Sequence, residues 1–290
     1  MAIALDARPT LTAVEMDRGD VVRFGLTGGG SRTIELLQTG AKVLFTTLSK
    51  PRTEERGARS FYEFTCRLRV QDREHTLRRE VPTQQSFYQP WVIDGVRIWL
   101  DAVDDIFEFL TETHGRCRPG RHARLAFQDA GLSICPQRLW PWCPLPKRGM
   151  DINLCYLGED CWLGPYFGCA AHAGLDINHR AGTPICAPID LDDHYYFNSV
   201  AAGDNNNRWR GHRRWPDGSQ WILGCHHMTS LTVPEHTPLA AGTQYANGAG
   251  VHSGYHAHSH FTFTVCQDGR EVLLDPWILF WQMYRDQASP

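Results

Sequence analysis

Between residues 10 and 100, apolar and polar positions alternate in short runs. Val21-Val22-Arg23-Phe24 leads into Gly28-Gly29-Gly30, and Thr33-Ile34-Glu35-Leu36-Leu37 follows. Lys42 to Thr47, Phe61 to Val70 and Gly95 to Leu100 continue the pattern. Each run is rich in β-branched and aromatic residues and is bounded by Gly, Pro or charged turns, as expected of strands. No Gly-Lys-Ser/Thr follows the triple glycine, so a hairpin turn is expected there rather than a phosphate loop. One helix is expected in this half, from Asp104 to His114. Ile106, Phe107, Phe109 and Leu110 give it an apolar face, acidic residues crowd its start and Gly115 can end it. From Cys135 to Met150 the chain turns irregular, with Pro136, Pro141, Pro144 and Pro146. This seam is the expected boundary between a β-rich domain, 1–147, and a second domain, 148–290. Past it, short strands and loops resume. A polar, basic loop is expected from Asp204 to Gln220, carrying Arg208-Trp209-Arg210-Gly211-His212-Arg213-Arg214-Trp215. Such a run is either a solvated loop or a grip for a polyanion or sugar.

Composition narrows the classes. A chain of 290 residues, 42% hydrophobic, can bury one large core or two ordinary ones. Its net charge of -3 argues against a general nucleic-acid binder. No apolar run approaches the length of a membrane span. The N-terminus as written lacks the basic and apolar regions of a signal peptide. Ten cysteines, seven of them between Cys117 and Cys186, suit disulfides in an oxidising compartment. Several disulfides, and a leader outside this sequence, are therefore expected. Buried free thiols packing as small hydrophobes are the alternative. No C-x-x-C occurs, and the pairing and the oligomeric state stay open.

Eleven of the 14 histidines lie between His172 and His260. Histidine is the commonest zinc ligand and a proton shuttle near neutral pH, so this density points to a metal site. In a strand, residues two apart share a face, which puts His256, His258 and His260 together. His172 and Asp176 are four apart, yet Gly174 between them argues for a loop or strand entry, not the H-E-x-x-H helix. One carboxylate with two histidines leaves the fourth tetrahedral position of a zinc ion open, the catalytic arrangement.

Four motifs then stand in order: His172-Ala-Gly-Leu-Asp176, Gly182-Thr-Pro-Ile-Cys-Ala-Pro188, His227-Met-Thr-Ser230 and His258-Ser-His260-Phe261. Together they resemble the lysostaphin-type (LytM-like) zinc endopeptidases of bacterial cell walls. The Gly-rich stretch from Pro238 to Gly250 and the Asp275-Pro276-Trp277 segment are similar to family features, and the match covers about residues 165 to 280. The resemblance implies a mainly antiparallel β peptidase domain behind an N-terminal β domain, with one zinc held by His172, Asp176 and His260. It implies catalytic roles for His227 and His258, which would move the proton and stabilise the developing oxyanion. It also implies a peptidoglycan or peptide substrate, cut by zinc-activated water, and an extracytoplasmic location. The last motif carries one extra His-x step, so a His256/His258 register is the alternative; Phe261 favours the later pair. Of the paired His226-His227, the following Met-Thr-Ser selects His227. His179, His194, His212, His236 and His252 are expected to be surface or hydrogen-bonded residues. Two other classes remain: a zinc peptidase acting on Gly-rich or other proteins, and a non-catalytic scaffold on a degenerate peptidase fold.

Overall fold

The computed structural model describes residues 1–46, 60–82, 89–110, 112–114, 117–145, 170–199, 206–251 and 257–288, with the backbone alone at 60, 82, 112–114 and 170–172. The first half holds β1 (Ala2–Asp6), β2 (Thr12–Met16), β3 (Val21–Gly25), β4 (Ser31–Thr46), β5 (Ser60–Val70), β6 (Arg73–Pro82), β7 (Trp91–Ile93), β8 (Val96–Val103), β9 (Glu112–His114) and β10 (Ala123–Asp129). The second holds β11 (Ala170–His172), β12 (Leu175–Asn178), β13 (Pro184–Cys186), β14 (Asp193–Asn198), β15 (Asn207–Arg214), β16 (Gln220–Met228), β17 (Gln244–Asn247), β18 (His258–Gln267) and β19 (Arg270–Leu274). It closes with α1 (Trp277–Ala288). The fold is mainly antiparallel β, as the alternating runs predict.

Five strands pair in the order β1-β3-β4-β5-β6 and four in the order β2-β10-β8-β7. Their facing sides make the first core. On β5, Tyr62, Phe64, Cys66, Leu68 and Val70 are buried at every second position and meet Ile98, Leu100 and Ala102 of β8 in one apolar cluster. The turn at Gly28 to Gly30 is the expected hairpin: Gly29 and Gly30 have φ of 90° and 79°, which residues with a Cβ rarely adopt. All eight residues of β8 are buried. Trp99 on its opposite side joins a second core, built with the sheet β12-β18-β16-β15-β14, which also carries β19 along β18. The middle sheet is thus covered on both faces, which buries even Arg97 and Asp101 of β8 along with its apolar residues.

Helix α1 fills the space between. Seven consecutive residues, Trp277 to Met283, are buried. Phe280 meets Phe261 of β18 at 5.8 Å between ring centroids, and Trp281 meets Trp99 edge-on at 5.4 Å. Over its first two turns the helix is buried all round and has no polar stripe, so that stretch shows no 3.6-residue period. Asp275 caps it, accepting the Trp277 N–H at 2.9 Å, with Pro276 at the first turn. The same carboxylate pairs with Arg79, both side chains fully buried. Asp101 accepts the Asp275 N–H at 2.7 Å and the Arg124 Nε–H at 2.6 Å. Two arginines and two aspartates therefore tie β6, β8, β10 and α1 together.

Four expectations need correction. Asp104 to His114 is not an α-helix: one 3-10 turn, Asp104–Glu108, buries Ile106 and Phe107, and the chain then pairs as β9 with β11. Residues 207–214 of the expected basic loop are strand β15. Its buried Asn207, Trp209 and Gly211 alternate with Arg208, Arg210 and His212, and the arginines masked that period of two. Helix α1 stands where only strands and loops were expected. The described cysteines, Cys66, Cys117, Cys135, Cys143, Cys186, Cys225 and Cys266, are free thiols rather than disulfides; Cys155, Cys161 and Cys169 lie outside the described residues. The proline-rich seam, as far as residue 145, packs Leu139, Trp142 and Cys143 into the second core.

Candidate functional site

The sheet carrying β18 at its centre has two unlike faces. Trp209, Trp221, Leu223, Cys225, Phe261, Phe263 and Val265 point into the second core. The alternate positions form the other face. Asp176 of β12 pairs across the sheet with His260 of β18, and His260 pairs with His226 of β16. His226 in turn pairs with Arg208 of β15. Period-two alternation has thus delivered a carboxylate, two imidazoles and a guanidinium, one from each of four adjacent strands, to a single row.

His260 Nδ1 lies 2.8 Å from Asp176 Oδ1, and His258 Nε2 lies 3.8 Å from Asp176 Oδ2. All three side chains are buried. The His227 ring lies 4.8 Å from that of His258 and 6.3 Å from that of His260, while His226 stacks on His260 at 4.7 Å. Regular alternation would send one of two consecutive histidines into the core. A bulge prevents it: β15 registers Arg208 with His226 and Asn207 with Met228, which leaves His227 as the extra residue. His227 accordingly has φ of 60°, in the left-handed region that a non-glycine residue seldom occupies. Burial, with His260, His227 and Arg208 close by, holds the His226 imidazole well below its ordinary range, hence neutral.

The structure thus brings His227, His258, Asp176 and His260 together. His172 enters through the backbone of β11, its side chain outside the described residues, and His256 and His252 lie outside them altogether. Two participants were not foreseen. His226 stands in the row itself, its doubling with His227 being the only signal. Gly174 presses on the His260 ring: a Cβ there would sit 2.1 Å from His260 Cε1 and 2.3 Å from Nε2. Of the histidines expected to be structural, His179 meets Ser259 Oγ at 2.8 Å, and burial followed by the neighbouring His258 lowers its imidazole to about 4. His194 accepts the indole N–H of Trp209 at 3.2 Å.

Among the described residues, no group of three or more His, Cys, Asp or Glu stands arranged to hold a metal ion. Two donor atoms nonetheless converge. Tetrahedral zinc with bonds of about 2.0–2.2 Å sets its ligand atoms about 3.3 Å apart. The 2.8 Å between His260 Nδ1 and Asp176 Oδ1 is close to one edge of such a site. An imidazole and a carboxylate are also the donor chemistry zinc takes.

The row opens into a cleft of about 950 Å³. His226, His260, Thr262, Arg208 and Arg210 form its floor, and Glu15 and Arg118 from the first half of the chain border it.

Compared with protein-family models the chain matches none, and no curated protein matches it. Solved structures do. The antimicrobial peptidase lysostaphin from Staphylococcus simulans is similar at 19% identity over 39% of this chain and 44% of that one, with a TM-score of 0.30. The lysostaphin catalytic domain alone is similar at 19% identity over 38% of this chain and 80% of that one, TM-score 0.30. A zinc-containing peptidase from Vibrio cholerae is similar at 12% identity over 91% of this chain and 83% of that one, TM-score 0.30. The chain spans 38% and 44% of the two longer lysostaphin structures it matches. Similarity this slight says nothing about chemistry, which rests on the side chains themselves.

Proposed function

We propose that this chain is a zinc-dependent endopeptidase that hydrolyses peptide bonds in peptidoglycan cross-links or stems and works outside the cytoplasm. The observation that carries the reading is the Asp176–His260 pair, 2.8 Å apart on the open face of the sheet, with the His227 and His258 rings beside it. Asp176, His260 and His172 would hold one zinc ion. Bound there, zinc would polarise a scissile carbonyl and bring the acidity of water near neutral pH. The protein's own groups do the rest. His258 and His227 flank the pair and can accept a proton from the attacking water and pass it to the departing amine. Their N–H groups can also stabilise charge that develops on the carbonyl oxygen. The bulge at His227 fixes its ring toward His258 instead of the core. The first half of the chain, 1–147, would restrict access by walling the cleft with Glu15 and Arg118.

The test is mass spectrometry of purified peptidoglycan incubated with the zinc-loaded chain, beside a His258→Ala control. New amine termini made by the unmutated chain alone are expected, and their position would name the bond. Neither peptidoglycan nor Gly-rich peptides being cut, with one zinc bound per chain, would replace this reading with the scaffold one.

A further inference from the structure

Arg208 and Arg210 sit on the cleft face of β15, two residues apart. Among the described residues neither guanidinium has a hydrogen bond or an ion pair, and the Nε of Arg208 is buried without a partner. A buried donor left unmatched is costly, and a charged one more so. The other cations of the cleft are already engaged: Arg118 pairs with Asp104 and Arg124 with Asp101. The Arg210 guanidinium sits over Phe197, 4.4 Å from its centroid, and Phe197 meets the His226 ring at 5.4 Å. A guanidinium held over a ring keeps its N–H edges free for a bidentate partner. Glu15 and Glu271 also line the cleft, so it is not a uniformly basic surface that would take any polyanion.

Resting on the peptidase reading, we propose that Arg208 and Arg210 form a subsite for a substrate carboxylate. Arg208 stands two strands from His260, through His226, in the same row. Two strand spacings are about 10 Å, the reach of about three residues of extended peptide. The favoured substrate is accordingly a peptide with a carboxylate within about three residues of the scissile bond. That group is either the C-terminal carboxylate or an acidic side chain. The pair thus selects substrate by charge and register, while the histidines do the chemistry.

The test separates binding from hydrolysis. Three peptides of one sequence are titrated calorimetrically into the zinc-free 290-residue chain: one with a free C-terminus, one amidated, and one amidated with an acidic side chain near its end. The unmutated chain is expected to bind at least one carboxylate peptide about tenfold more tightly than the neutral amide, with the advantage falling as salt is raised. The arm that binds tells which carboxylate is read. An Arg208→Gln/Arg210→Gln chain is expected to bind all three alike while keeping the unmutated melting temperature. Equal binding of all three by the unmutated chain would overturn the subsite, as would a preference surviving in the double variant. Failure of the peptidase reading shows elsewhere, as zinc-loaded protein that cuts no peptide.

Discussion

The two faces of the β18 sheet are made by the same strands and differ in everything else. One face is apolar and closed by α1: Phe263 touches Trp221 at 4.9 Å and Phe261 touches Trp142 at 4.7 Å. The other places His260, His226 and Arg208 along a cleft, with Asp176 and His258 buried against His260. Away from the bulge at His227, alternation assigns each residue to stability or to the site, so substitutions one position apart on β18 should give opposite phenotypes.

The largest difference is expected from His260→Ala against its neighbour Phe261→Ala. His260→Ala should lower peptide hydrolysis by about 10³-fold or more and abolish stoichiometric zinc, read by peptide assay and elemental analysis. Phe261→Ala should leave metal binding intact in the folded fraction while lowering the unfolding free energy by about 3–5 kcal/mol in urea. Similar stability losses in both variants would break the comparison.

The closed side has buried charge too, but used structurally. Arg79→Met should cost about 3–5 kcal/mol, because it strands Asp275. Burial, opposed by Arg79, pushes the Asp275 carboxyl up to about 6 from its ordinary 3.8. A carboxyl raised on folding contributes stability that is complete below the unfolded value and lost as the pH rises through the folded one. Removing Arg79 should therefore cost more at pH 7.5 than at pH 5, measured by denaturant titration at both. A deficit independent of pH would show Asp275 titrating elsewhere.

A smaller effect is expected at Gly174. Gly174→Ala drives a Cβ against the His260 ring, so zinc affinity should fall about 10–100-fold by competition with a chelator. Unchanged affinity would mean the ring is free to turn. The least effect should come from alkylation of the native chain at pH 8. Burial raises the thiols of Cys66, Cys117, Cys135 and Cys225 to about 12, leaving a thiolate fraction of about 10⁻⁴ at pH 8. These four should react only after denaturation, as intact-mass shifts will show. A denatured, unreduced chain that still resists labelling would reinstate disulfides.

How legible each face was follows from its period. Phe61 to Val70 and His258 to Val265 read as strands because polar and apolar residues alternate there, and the fold class came with them. The His-rich motifs named Asp176, His227, His258 and His260, which the structure brings together. Helix α1 was hidden because burial on all sides of its first two turns erases the period there. Strand β15 was hidden because arginines on its cleft side made it look like a solvated loop. The joint presence of His226 and His227 in the site depends on a bulge, set by pairing with a strand distant in sequence, and no local pattern carries that.

The most direct measurement is anomalous diffraction at the zinc edge from crystals of the zinc-loaded chain. One peak within about 2.2 Å of Asp176 and His260 donor atoms, with His172 completing the ligands, is the expected result. A peak elsewhere, or none in crystals of active protein, would contradict the assignment of this face as the metal site.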